Sequence, residues 1–203
     1  MGLISNGTTV FDAGSMASGF GSSMVFIKKL TASGSANLTF HNGTSNVILD
    51  STYKEYLFTF KNIHLASNTP FNFQVNAVGA SGFNETISST SFFMRHAENG
   101  DGDQLSYSAA NDQAQGTGFQ RIATDQGTGN DENMGGFLRL FNPASTTFVK
   151  HFISNCQSAQ ATDYSMNRMV GGYINTTAAI DEIQFKAESG NIDAGDICLY
   201  GIA

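Results

Sequence analysis

The sequence predicts an all-β fold, an antiparallel β-sandwich of the jelly-roll type with an extended N-terminal arm. Three observations carry this. Short runs alternate apolar and polar residues with a period of two, the signature of a strand with one buried face. Turn-forming residues separate those runs, and the 203-residue chain holds 22 glycines but only two prolines. No helix-length window sustains a 3.6-residue apolar period, so almost no helix is expected.

The elements follow in chain order. Residues 1–22, "MGLISNGTTVFDAGSMASGFGS", are rich in Gly and Ser and carry one charge, Asp12. Glycine is too frequent there to sustain a helix, so the stretch reads as an extended arm. Phe11, Met16 and Phe20 are its candidate anchors on a partner. Residues 23–203 read as a single β-sandwich domain. "SMVFIKKL" (23–30) and "SANLTF" (35–40) flank "TASG" as a hairpin would. "HNGTSN" contains Asn42-Gly43, a strong turn pair.

"VILD" leads into "TYKEYLFTFKNIH" (52–64), where Tyr56, Phe58 and Phe60 share one face. "FNFQVNAVG" (71–79) puts Phe71, Phe73, Val75 and Ala77 inward and Asn72, Gln74 and Asn76 outward. Further strands are expected at 89–96, 135–142, 147–153, 168–175, 182–187 and 196–202, making about ten. That number at short spacing indicates a sandwich or barrel. The irregular 97–134 excursion argues against a simple up-and-down barrel, hence the jelly roll.

The aromatic rows recur at Phe71 with Phe73, Phe137 with Phe141, and Phe148 with Phe152. Phenylalanine outnumbers tyrosine 17 to 6 and tryptophan is absent. Sugar and base platforms draw on Trp and Tyr, which add a polar handle to the ring. Rows of Phe in several strands are what two facing sheets need between them. The rows are therefore read as core.

Composition excludes several functions. The net charge is −7, whereas phosphate binding needs a cationic footprint, so no nucleic-acid partner is expected. Charged residues make up only 13% of the chain, about half the usual share. Polarity comes from Ser, Thr, Asn and Gln, which suits packing against other copies. Acidic residues concentrate between Glu85 and Glu132, as in a solvated loop region. No apolar run reaches membrane length and no charged leader precedes one, so neither a membrane partner nor a signal peptide is expected. Cys156 and Cys198 do not form a disulfide framework, and Cys198 reads as a small hydrophobe in "ICLYGI".

Chemistry is scarce. His41, His64, His96 and His151 show no zinc spacing. His151 and Cys156 are five apart, on opposite faces of a strand, which disfavours a local Cys–His pair. No nucleophile elbow, P-loop or dinucleotide fingerprint occurs. In "ENGDGDQ" (98–104), Asn99, Asp101 and Asp103 stand at alternate positions as in a calcium loop. Gln104 and Ala110 replace the glycine and the bidentate Glu such a loop requires, so the string reads as a solvated turn. The expectation is no catalytic residue, no metal and no cofactor.

"LTASGSANLTF", "LDSTYKEYLFTFKNIHLAS", "LFNPASTTFVKHF" and "INTTAAIDEIQFKAESGNIDAGDICLYGI" together resemble virion proteins and fibre modules of tailed bacteriophages, marine ones above all. The resemblance runs from about residue 25 to the end, and the closing segment is its most specific part. It implies a non-enzymatic virion structural protein, made in the host cytoplasm and placed on the outer surface of the particle. The compact length favours a capsid decoration (cement) protein, a homotrimer binding the major capsid protein or another virion protein. The alternatives are a tail-fibre or host-receptor-binding adhesin, and a lectin-like carbohydrate-binding module.

Overall fold

The structure, a computed structural model, describes residues 3–12, 15–16 and 23–203. Its strands are β1 (Leu3–Ser5), β2 (Thr8–Asp12), β3 (Ser15–Met16), β4 (Met24–Ser35), β5 (Leu38–His41), β6 (Glu55–Leu65), β7 (Phe71–Ala77) and β8 (Ile87–Ala97). There follow β9 (Gln104–Tyr107), β10 (Ala114–Gly116), β11 (Gln120–Ala123), β12 (Met134–Phe141), β13 (Lys150–Ala159), β14 (Tyr164–Ile174), β15 (Ile180–Ala187) and β16 (Ile192–Ile202). Among the described residues there is no helix.

Every pairing is antiparallel, and the strands form a nine-stranded, a four-stranded and a three-stranded sheet. The large sheet runs β10-β8-β14-β13-β12-β6-β16-β4, with β9 also on β8, and the small sheet runs β11-β7-β15-β5. One apolar core lies between these two sheets. An eight-stranded jelly roll builds its two sheets from two Greek keys, and the lopsided nine-and-four division does not confirm that detail. The sandwich itself stands.

The core is aromatic, as the alternation predicts. Tyr56, Phe58, Phe60, Phe71, Phe73 and Val75 are all at most 3% exposed. Rings meet across the two sheets: Phe58 with Phe185 at 5.4 Å, Phe60 with Phe71 at 5.5 Å, and Phe73 with Phe152 at 4.9 Å. Such edge and tilted contacts add to the burial of apolar area. Phe152 reaches Phe73 over Gly172, its register partner on β14. A Cβ at Gly172 would lie 2.9 Å from the Phe152 ring and 2.4 Å from Ser88 O.

The inward phase of β6 shifts after Phe60, so that Ile63 and Leu65 are also buried. Asn62 takes φ 51° there, the mark of a bulge that re-aims the side chains. Gly195 of β16 (φ 113°) lies against it, and a Cβ would sit 2.5 Å from Asn62 O. Only glycine fits both the angle and the space.

Several expectations are corrected. "TASG" is not a hairpin turn: β4 continues through it to Ser35 and pairs with β16, while β5 pairs with β15 in the other sheet. On β12, Leu138 and Leu140 fill the core, and Phe137 and Phe141 lie on the other face, partly covered. Phe148 is 68% exposed and precedes β13, so it does not join Phe152 in the core. Asn72 and Gln74, expected on the solvent side of β7, are 2% and 0% exposed. Gln74 Nε2 donates to the carbonyls of Glu85, Thr117 and Gly118, so flanking loops roof that face. The acidic excursion is not all loop, since it contributes β9, β10 and β11 as edge strands.

The stretch expected as an extended arm pairs into the three-stranded sheet β1-β2-β3 where it is described. Phe11 and Met16 are register partners in that sheet. Phe20 lies outside the described residues.

Candidate interaction face

Register fixes which side chains share the outer face of the large sheet, since antiparallel partners point the same way. One row crosses seven strands: Tyr107, Phe92, Met169, Asn155, Phe137, Thr59 and Cys198. None of these residues carries a charge, and the row ends on Lys29 of β4, the register partner of Cys198. The adjacent row is Thr90, Gly171, Ile153, Arg139, Leu57, Tyr200 and Phe26. Its single charge is met on the same face, because Arg139 Nη1 donates to Glu55 Oε1 at 2.8 Å. A third row holds Leu105, Met94, Asn167, Gln157 and Gly135.

Much of this apolar surface is open. Phe26, Leu105 and Tyr107 are 56%, 71% and 55% exposed, and Met24, Met94 and Ile153 more than 40%. Amides knit the middle: Asn155 and Asn167 donate to each other's Oδ1 at 3.1 and 2.8 Å, and Gln157 Nε2 donates to Ser165 Oγ at 2.8 Å. Charge collects at one corner, where Lys29 Nζ meets Asp196 Oδ2 at 3.1 Å. Thr31 and Lys29 donate to Asp196 and hold its carboxyl below the usual range. At the opposite edge Tyr107 OH donates to Asp112, which raises the phenol pKa. Contiguous exposed apolar surface of this kind makes the face a candidate interaction surface.

The titratable residues singled out from the sequence do not converge. His41 Nδ1 lies 2.7 Å from Glu182, His64 hydrogen-bonds Gly129 O at 3.2 Å, His151 leans on the Tyr173 ring, and His96 is exposed. His151 is exposed and Cys156 buried on alternate faces of β13. Asn99 Oδ1 accepts from the Asp101 amide at 3.0 Å in a local turn, with Asp103 exposed beyond it. Among the described residues no cluster of three His, Cys, Asp or Glu side chains is placed to hold a metal.

Two buried cations had no sequence signal beyond being charged residues inside strands. Arg168, 2% exposed, donates from Nη1 to Ser91 Oγ and from Nη2 to Thr124 Oγ1 at 3.0 and 2.8 Å. Burial lowers its pKa. Lys150, 0% exposed, donates to the carbonyls of Thr176 and Ala178 at 3.1 and 2.6 Å. Both tie loops to strands; the two carbonyls meet the Lys150 charge, while Arg168 Nε is left without a hydrogen-bond partner.

No family model matches the chain, no curated protein is similar to it, and no solved structure matches it at a significant level.

Proposed function

We propose that the chain is a non-enzymatic structural protein of a tailed-phage particle. It acts as a homotrimer on the outer surface, as a decoration protein bound to the major capsid protein. The single observation that supports this most is the open apolar band across the large sheet, whose internal charge, Arg139, is paired with Glu55. A surface with no net charge meets another copy of itself, or a capsid lattice, without like-charge repulsion. Its area is read by packing, which rewards symmetric closed assembly. The resemblance in "IQFKAESGNIDAGDICLYGI" supports the placement on a virion.

The measurement is molar mass by light scattering, together with pelleting against undecorated phage heads. The full chain is expected to run as a trimer and to co-pellet. Ile153→Lys puts an unpaired charge beside Arg139 in the middle of the band. It should weaken self-association at least tenfold, since a desolvated unpaired charge costs more than 1.4 kcal/mol. The subunit's melting should stay unchanged, because Ile153 faces outward.

A truncation lacking residues 1–22 should keep the sandwich and lose binding to heads, which tests Phe11, Met16 and Phe20 as anchors. A monomeric wild-type chain would remove the oligomer from the proposal. Adsorption to host cells without binding to heads would transfer it to a tail-fibre adhesin.

A further inference from the structure

The outer side of the small sheet carries a cavity of about 270 Å³ lined by Asn72, Phe119, Arg121, Lys186 and Glu188. A second, of about 210 Å³, adjoins it through Phe119 and Arg121 and continues over Asn111, Asp112 and Gln113. Together they approach the volume range of small-ligand sites. Three strands assemble the first cavity, because Arg121 of β11 and Lys186 of β15 are both register partners of Asn72 on β7.

The polar groups there are unevenly satisfied. Arg121 is fully engaged: Nε and Nη2 grip Glu188 at 2.8 Å each, and Nη1 donates to Ala110 O at 3.1 Å. Glu188 is thereby neutralised. Lys186 Nζ lies 4.3 Å from the centroid of the Phe119 ring and, among the described residues, has no carboxylate partner. Asn72 is 2% exposed, yet its Oδ1 accepts no hydrogen bond. An orphaned acceptor of this kind is uncommon in a native fold and calls for a partner from outside.

We infer that this cavity binds an acidic saccharide, a hexuronate unit of a polymer. The free cation, Lys186, takes the carboxylate. A sugar hydroxyl both donates and accepts, so it can donate to Asn72 Oδ1, which a simple carboxylate cannot do. The Phe119 ring offers an apolar wall for the C–H face of the pyranose. An amino acid fits less well, because Glu188 is held by Arg121 and Asp112 of the adjoining cavity already accepts from Tyr107 OH.

The first cavity is lined by two cations and one anion, Arg121, Lys186 and Glu188, in a chain whose net charge is −7. That local reversal of sign favours an anion beside Lys186, while Asp112 lines the adjoining cavity. The inference does not rest on the virion proposal. The first cavity and the apolar band lie on opposite sides of the sandwich; the second cavity reaches the band's edge, where Tyr107 OH donates to Asp112.

Calorimetric titration of the full chain with oligogalacturonate, a neutral galacto-oligosaccharide of equal length, and tricarballylate, a tricarboxylate without a hydroxyl, tests this. Oligogalacturonate should bind, the neutral sugar should not, and tricarballylate should fail to compete. Lys186→Met keeps the contact with Phe119 and should weaken binding about tenfold or more, the worth of one charge-assisted hydrogen bond. Asn72→Leu should weaken it as well, with melting of both variants confirming the fold. Lys61→Met, on the large sheet, should leave affinity unchanged. Absence of heat with oligogalacturonate, equal binding of the neutral sugar, competition by tricarballylate, or an unaffected Lys186→Met would each overturn the inference.

Discussion

Replacing Phe185 by alanine should destabilise the sandwich by about 3 to 5 kcal/mol, the range for deleting a buried phenylalanine. For a domain of this size that lowers the melting temperature by roughly 10 °C. Phe185 is 0% exposed, and its ring contacts those of Phe40, Phe58, Phe60, Phe71 and Phe73, with centroids between 5.3 and 6.4 Å. It sits on β15 in the middle of the small sheet and touches rings from both sheets. Removing it opens a cavity whose walls belong to four strands that cannot collapse together. Phe58→Ala and Phe73→Ala should fall in the same range. Phe148→Ala should change stability by no more than about 0.5 kcal/mol, the usual size of a surface substitution. Thermal melting of the four variants checks the ordering. A wild-type melting temperature for Phe185→Ala, or a large loss for Phe148→Ala, would break this account of the core.

That contrast shows where alternation in the sequence is informative and where it is not. Tyr56, Phe58 and Phe60 alternate with Glu55, Leu57, Thr59 and Lys61, so the wholly aromatic face of β6 is plainly the inner one. On β12 both faces are apolar, Phe137 and Phe141 on one and Leu138 and Leu140 on the other. Period two then marks a strand without telling which side is buried, and the larger residues proved to be outside. Phe148 stands two residues before the strand begins, where side-chain alternation has no meaning. Gly34 in "TASG" has φ 63° inside β4, so a residue that usually marks a turn serves here within a continuous strand. β9 and β10 are short, mostly exposed edge strands whose composition does not separate them from loops, whereas β11 buries Ile122 and Ala123 in the core.

The candidate sites were hidden for a different reason. The apolar band is a property of register across seven strands, and no local window contains it. Phe92, Met169 and Phe137 come together only because β8, β14, β13 and β12 pair in that order. In the small-sheet cavity, Asn72 and Lys186 are partners across 114 positions of sequence. A single-chain reading can place each residue on a strand and still miss the site, because long-range pairing is what assembles it.

Alkaline pH should destabilise the protein in part through Cys156, and replacing that residue should remove that part of the loss. Cys156 is 1% exposed on the inner face of β13, with Ser154 Oγ 3.6 Å from its sulfur. Burial pushes the thiol up from 9.0 to about 12, against the smaller opposing influence of hydrogen bonds from Ser154 and Phe137 and of the Arg168 charge. The folded pKa is raised above the unfolded one. The stability linked to this proton is therefore fully present below pH 9 and lost as pH rises toward 12. Each pH unit in that window removes about 1.4 kcal/mol, so roughly 2 to 3 kcal/mol has gone by pH 11. Tyr56, wholly buried and also pushed up to about 12, adds a loss of the same sign above pH 10. Lys150 acts in the other direction, since burial lowers its pKa and the fold gains as that amine loses its proton. Comparing wild type with Cys156→Ala isolates the thiol from both. At pH 8 the variant should be the less stable by about 1 kcal/mol, the cost of a small cavity. Between pH 9 and 11 the difference should shrink and then reverse. Denaturant midpoints under reducing conditions, with Cys198 intact in both proteins, give the two curves. Parallel curves across that range would mean that the thiol ionises as readily in the folded chain as in the unfolded one, and that Cys156 is not sealed in the core.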